Sequence, residues 1–100
     1  MKELVQIGKI ISDENRIKML ALMQREKELC VCEICDTLKL SQPLVSRHLK
    51  QMRKAAIVQT KKSGKWTIYS LCKNNIISCI LDSIQKESVQ LPKIVSCTTR

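Results

Sequence analysis

No stretch of this chain is apolar enough to cross a bilayer. Its Ile, Leu and Val runs are short and broken by Lys, Asp or Gln, far below the ~20 residues a membrane span needs. The opening Met1-Lys2-Glu3-Leu4 lacks a signal-peptide core, so a cytoplasmic location is expected. Internal repeats and low-complexity tracts are also missing. Acidic residues are scarce, at 9 against 18 Lys and Arg, for a formal charge of +9. That excess suits a polyanionic partner, either nucleic acid or an anionic membrane surface, and says nothing about fold. Histidine occurs once, as His48, so a metal site built on several histidines is excluded. With 100 residues the chain is long enough for one domain with a thin core, which dimerisation would support.

Cysteine is plentiful by contrast, with six residues. A secreted disulfide scaffold is the plain reading of such a count. The missing export signal weakens it. So does the crowding of Cys30, Cys32 and Cys35, which are too close together to tie distant segments. In a reducing compartment, clustered thiols are more often metal ligands or redox groups.

Apolar spacing predicts four or five helices and one hairpin. Leu4, Ile7 and Ile11 mark a first helix over residues 2–11. Ser12 or Asp13 caps a second, with Ile17, Leu20 and Ala21 on one face as far as about Arg25. Residues 26–31 read as a connection, and Cys32 to Leu38 as a short third helix. Ser41 is a strong N-cap for a fourth helix, with Pro43 in its first turn. Val45, Leu49 and Met52 point inward on that helix, opposite Gln42, Ser46, Arg47, Lys50 and Lys54. The period then changes. Ile57–Thr60 and Trp66–Tyr69 read as strands joined by the basic loop Lys61–Lys65, with Gly64 free to take a positive φ. Asn74 or Asn75 opens a last helix striped by Ile76, Ile77, Ile80, Leu81 and Ile84. That stripe is wider than a monomer usually leaves exposed. The first and last helices are thus the expected homodimer interface. Residues 1–87 form the domain, and 88–100, with Pro92, a flexible tail.

A short helix, a tight turn, a basic helix and a lysine-tipped hairpin make a winged helix-turn-helix. The expected fold is mostly α with a β-hairpin wing, in the order α-α-α-α-β-β-α. The second helix of such a pair enters the DNA major groove and reads base edges from its N-terminal residues. The expected DNA-binding residues are Ser41, Gln42, Ser46, Arg47, His48 and Lys50, with Lys61, Lys62 and Lys65 on the wing. Any one of these lysines alone reads as an ordinary solvated charge. His48 is either a DNA contact or a packed helix residue.

Cys30-Val31-Cys32-Glu33-Ile34-Cys35 is the sharpest signal. Thiolates are soft ligands. Three of them suit a pyramidal trivalent ion, As(III) or Sb(III), where four would close a zinc site. At ~100° per residue, Cys32 and Cys35 share a helix face and Cys30 does not. The three sulfurs converge only if the helix start unwinds or Cys30 precedes it. Cys32-Glu33-Ile34-Cys35 also has redox-dithiol spacing. A thioredoxin-like enzyme needs a βαβ context, which is missing, so no enzyme and no organic cofactor is expected. A thiol-redox repressor remains an alternative. Cys79, among isoleucines, reads as a small buried hydrophobe, and Cys72 and Cys97 lean the same way.

Glu28-Leu29-Cys30-Val31-Cys32-Glu33 resembles the metal-binding box of the ArsR/SmtB repressors. Cys35 supplies the third thiol of their arsenic-responsive members, with Glu33 where the box usually has Asp. Ser41-Gln42-Pro43, Ser46-Arg47-His48-Leu49 and Gly64-Lys65-Trp66 with Tyr69 resemble the same branch. The likeness runs from about Leu4 to Leu81. It implies a homodimer that represses an arsenic-resistance operon and leaves its operator when Cys30, Cys32 and Cys35 take As(III) or Sb(III). Cadmium- and lead-responsive relatives draw further cysteines from the N-terminal segment, and residues 1–29 have none. Zinc-responsive relatives use histidines of the last helix, and residues 73–87 have none.

Overall fold

The computed structural model describes residues 2–73, 75–86 and 93–94. They form α1 (Lys2–Ile11), α2 (Glu14–Glu26), β1 (Glu28–Cys30), α3 (Val31–Leu38), α4 (Gln42–Lys54), β2 (Val58–Ser63), β3 (Trp66–Leu71) and α5 (Asn75–Lys86). This is the expected winged helix-turn-helix order with one addition, a strand ahead of α3.

The helices start where the sequence offers acceptors. Asp13 Oδ1 accepts from the backbone N–H of Asn15 at 2.8 Å and of Arg16 at 3.2 Å. The Arg16 bond is the leading reason that the Asp13 carboxyl sits below its ordinary pKa, and the Asn15 bond adds to it. Ser41 Oγ accepts from Leu44 N–H at 3.4 Å, and Pro43 follows in the first turn of α4, where its missing donor leaves nothing unpaired. Between α3 and α4 the chain turns on Lys39, in the left-handed region at φ 56° and ψ 47°. Leu40 N–H closes that turn on Cys35 O at 3.0 Å.

The core lies among α2, α3, α4 and the sheet. Val45, Leu49 and Met52 are all at 0% exposure, as their spacing requires, against Met19, Leu20, Leu22, Met23 and Ile34. Each large apolar side chain so buried contributes about 1.5–3 kcal/mol. On α1 the inward pair is Ile7 and Ile10; Leu4 is 55% exposed and Ile11 half-buried. On α5, Ile77 and Leu81 are buried and Ile76 is 40% exposed. Gln24 Nε2 donates to Asp82 Oδ1 at 3.1 Å and so links α2 to α5. The tail expected over 88–100 lies outside the described residues except for Lys93 and Ile94, and Ile94 packs partly buried against the core.

The sheet is antiparallel with order β1-β3-β2. It corrects two expectations. Residues 26–31 are not a plain connection, because Leu29 pairs with Tyr69 and Cys30 with Ile68 along the inner strand. The hairpin loop is also shorter than expected. Lys61 pairs with Ile68, Lys62 with Thr67 and Ser63 with Trp66, so only Gly64 and Lys65 make the tip. Lysines fit there because β2 is an edge strand, and charge on an edge blocks pairing with other chains. Gly64 takes φ +61°, the left-handed conformation such a two-residue turn demands. Among the described residues no helix is long and apolar enough to cross a membrane.

Candidate thiol cavity and nucleic-acid interface

Cys30 stands outside α3. It is the N-cap residue, extended at φ −92° and ψ 164°, and only 1% exposed. Its backbone N–H donates to Glu33 Oε1 at 3.1 Å. Glu33 is buried, at 4% exposure, and its role is structural. It holds the start of α3 as the fourth residue of a capping box. Cys32 and Cys35 follow in the first turns of the helix.

All three cysteines line one cavity of about 580 Å³ between α3, the start of α4 and the turn end of the hairpin, at Trp66 and Thr67. Gln42 and Trp66 line it too. Cys30 thus reaches the cavity by preceding the helix, one of the two ways the spacing allowed. Even so, no three Cys, His, Asp or Glu side chains among the described residues stand close enough to hold a metal ion as they are. Cys30 and Cys35 are free thiols, and Cys32 is disulfide-bonded. Burial, above all, raises the Cys35 pKa, and the charges of Asp36 and Cys30 raise it further, so Cys35 is a protonated thiol at neutral pH. Cys32 Sγ lies 3.6 Å from Asp36 Oδ2. Cys72 is half-buried. Cys79 is exposed, which corrects the expectation of a buried hydrophobe: its position on α5 faces away from Ile77 and Leu81. Cys97 lies outside the described residues.

On the outer face, Ser41, Gln42, Ser46, Arg47 and Lys50 are exposed at or along α4, and Lys61, Lys62 and Lys65 are exposed on the hairpin. Lys61 Nζ is ion-paired with Glu28 of β1. Lys65 Nζ stands over the Trp66 ring, 5.6 Å from its centroid, within cation–π range.

His48 does not belong to this face. It is 5% exposed and turned toward α2, where its Nδ1 accepts from Arg16 Nε at 3.0 Å. It is a packed helix residue, not a DNA contact. Its Nε2 is buried without a hydrogen-bond partner. Burial is the main cause of its lowered pKa; Arg16 and Arg47 lower it further, while Asp13 opposes them. Arg16 was invisible as a partner in the sequence, because 32 residues separate it from His48. The Glu33 role had a visible signal, the N-cap to N3 spacing from Cys30.

The comparisons with known proteins agree with this geometry. Residues 13–60 match the family described as bacterial regulatory protein, arsR family. The uncharacterized HTH-type transcriptional regulator MJ1325 of Methanocaldococcus jannaschii is 37% identical over 71 residues, which are 71% of this chain and 80% of that protein. The chain belongs to the ArsR family. Another relative, the arsenic resistance transcriptional regulator ArsR1 of Pseudomonas putida, is 48% identical over 65% of this chain and 51% of its own length. The cadmium resistance transcriptional regulatory protein CadC of Listeria innocua is 41% identical over 61% of this chain and 51% of its own. The chain thus spans about half the length of ArsR1 and CadC. Reduced HlyU from Vibrio cholerae superposes with a TM-score of 0.79 at 26% identity, over 89% of this chain and 92% of that one.

Proposed function

We propose that this ArsR-family chain is an arsenite- or antimonite-responsive repressor. It binds operator DNA as a homodimer and lets go when Cys30, Cys32 and Cys35 take up As(III) or Sb(III). The carrying observation is the shared cavity: the three cysteines, the first residue of the reading helix, Gln42, and the wing residue Trp66 all line it. The donor set fits a soft trivalent ion, which would bring the three sulfurs to one pyramidal centre. The thiols must shift to meet there, and the cavity walls that yield are the start of α4 and the turn end of the wing. A lost base contact is worth about 1–3 kcal/mol, so a small displacement of Gln42 and Arg47 is enough to weaken the complex. The dimer forms through α1 and α5, where Leu4, Val5 and Ile76 lie exposed at 55%, 56% and 40%.

Because the chain covers about half of its arsenic- and cadmium-related relatives, the inducer is decided by titration. Reduced protein on operator DNA is expected to release it with arsenite and to keep it with cadmium or zinc in a gel-shift assay. Release by cadmium alone would overturn the assignment. Cys32→Ser is expected to bind DNA and ignore arsenite. A second reading, a thiol-redox repressor that forms a Cys32–Cys35 disulfide, is supported by the C-x-x-C spacing of those residues and by their shared cavity. It predicts release by peroxide without any arsenical.

A further inference from the structure

Arg16 of α2 donates to two other helices at once. Its Nη1 holds Lys9 O, near the end of α1, at 3.0 Å. Its Nε holds His48 Nδ1 of α4, also at 3.0 Å. The Arg16 backbone N–H is itself held by Asp13 Oδ1. A helix of the proposed dimer interface and the reading helix thus meet on one guanidinium. His48 is 5% exposed and Leu49, beside it, is fully buried, while Arg47 on its other side is exposed on the outer face. A shift at His48 therefore passes straight to Arg47. Because Nδ1 accepts, the neutral ring carries its proton on Nε2, which is buried without a hydrogen-bond partner among the described residues. The charged groups that face the ring are Asp13 at the N-cap of α2, Arg16 on α2 and Arg47 on α4. Burial and the two arginines keep it neutral at pH 7, against the pull of Asp13.

We infer that Arg16 and His48 are positioning residues for operator reading: their hydrogen bond seats α4 against α1 and α2, and a proton on His48 unseats it. The inference rests on the operator-binding part of the proposed function and is independent of the inducer. Protonation puts a donor and a positive charge on Nδ1, 3.0 Å from a guanidinium nitrogen that also donates. Neither atom can then accept, so the contact opens. Val45, Leu49 and Met52 still hold α4 in the core, so the helix stays in place, but the bond that fixes its setting against α2 is gone. A histidine that merely added charge would strengthen binding to DNA in acid. The Arg16–His48 contact gives the opposite sign at a specific site. His48 is the single histidine, and histidine is the side chain whose ordinary pKa falls between pH 5 and 8. Asp13, its carboxyl held below its ordinary pKa, stays ionised over that range.

The test uses the reduced, full-length protein and two labelled duplexes, one selected by this protein at neutral pH from a random-sequence pool and one of scrambled sequence. Anisotropy titrations run from about pH 8 to about pH 5 at fixed salt, at a temperature where circular dichroism shows unchanged helix content. Affinity for the selected duplex is expected to fall about tenfold in acid, the scale of one lost base contact, while affinity for the scrambled duplex holds or rises. His48→Asn, whose Oδ1 can accept from Arg16 where Nδ1 stood, should give a flat profile on the selected duplex. Asp13→Asn keeps an N-cap acceptor and removes the charge that favours the protonated ring, so the fall should move to lower pH. This second variant leaves the Arg16–His48 pair itself intact. Failure to select any duplex would overturn the inference together with the operator-binding function. Affinity for the selected duplex that is flat or rises in acid, an equal fall for both duplexes, a wild-type profile in His48→Asn or an unmoved fall in Asp13→Asn would overturn the positioning role and leave the operator-binding function standing.

Discussion

Removing the Glu33 carboxylate is expected to loosen the segment that carries the thiols. Glu33 is 4% exposed, and its Oε1 accepts from Cys30 N–H at 3.1 Å. Glu33→Ala leaves that buried donor without this acceptor. The loss of an N-terminal helix cap costs about 0.5–2 kcal/mol, and a hydrogen bond to a charged group is worth about 1.5–3 kcal/mol. A total near 2 kcal/mol is therefore expected, of either origin. At about 4–8 °C per kcal/mol for a domain of this size, the melting temperature falls by roughly 8–16 °C. Glu33→Gln keeps a carbonyl acceptor at the same reach and gives up only the charge, so it should recover about half of the loss. The assay is thermal unfolding of the reduced protein, followed by circular dichroism at one fixed chain concentration, since the midpoint of the proposed dimer would depend on it. Equal melting of Glu33→Ala and wild type would refute the capping role. Equal losses in the Ala and Gln variants would show that packing of the side chain, not its acceptor, is what matters.

Other outcomes follow from the same geometry. His48 has a lowered folded pKa, so the unfolded chain takes its proton first as pH falls below about 6.5. The stability it contributes is complete above that value and is lost as pH drops through the folded pKa. The melting temperature should thus fall between pH 7 and pH 5, and His48→Gln should flatten that profile; an unchanged profile would count against the buried neutral imidazole. Arg47→Ala, at an exposed position on α4, should weaken operator binding by about 1–3 kcal/mol and relax preference at one base pair. Uniform weakening across operator variants would make it a phosphate contact instead. Lys65→Ala, at the wing tip, should lower the slope of log affinity against log salt by about 1. An unchanged slope in a fluorescence-anisotropy titration would place the tip away from phosphate.

Local chemistry made much of this fold legible. Asp13 and Ser41 announce their helices as side-chain acceptors, and Val45, Leu49 and Met52 repeat at helical spacing, so α2 and α4 could be placed from residue types alone. β1 could not. Three residues show no period, and Glu28–Cys30 is a strand only because β3 pairs with it. The hairpin loop read too long because Lys61, Lys62 and Ser63 look like loop residues; their ladder bonds come from the backbone, which side-chain polarity does not report. His48 lies next to Leu49 at the margin of the apolar face. Its burial depends on Arg16, which arrives from another helix. For the site, the thiol spacing located the cavity but not its size or its far wall. Trp66 is distant in sequence and joins Cys30 only through the pairing of Cys30 with Ile68.

That pairing sets what can be altered in this wing. Gly64 and Lys65 lie beyond the last rung, so the tip can be lengthened or exchanged without disturbing the thiol segment, as exposed turns generally permit. Residues 66–68 have no such freedom. One residue inserted there would shift the ladder by one position and turn every side chain of that stretch to the opposite face. Trp66 would leave the cavity wall, and Cys30 would face a new neighbour. In attempts to alter this wing, the hairpin tip is the tolerant graft point, and the rung opposite Cys30 is the boundary past which a change of the hairpin also becomes a change of the thiol cavity.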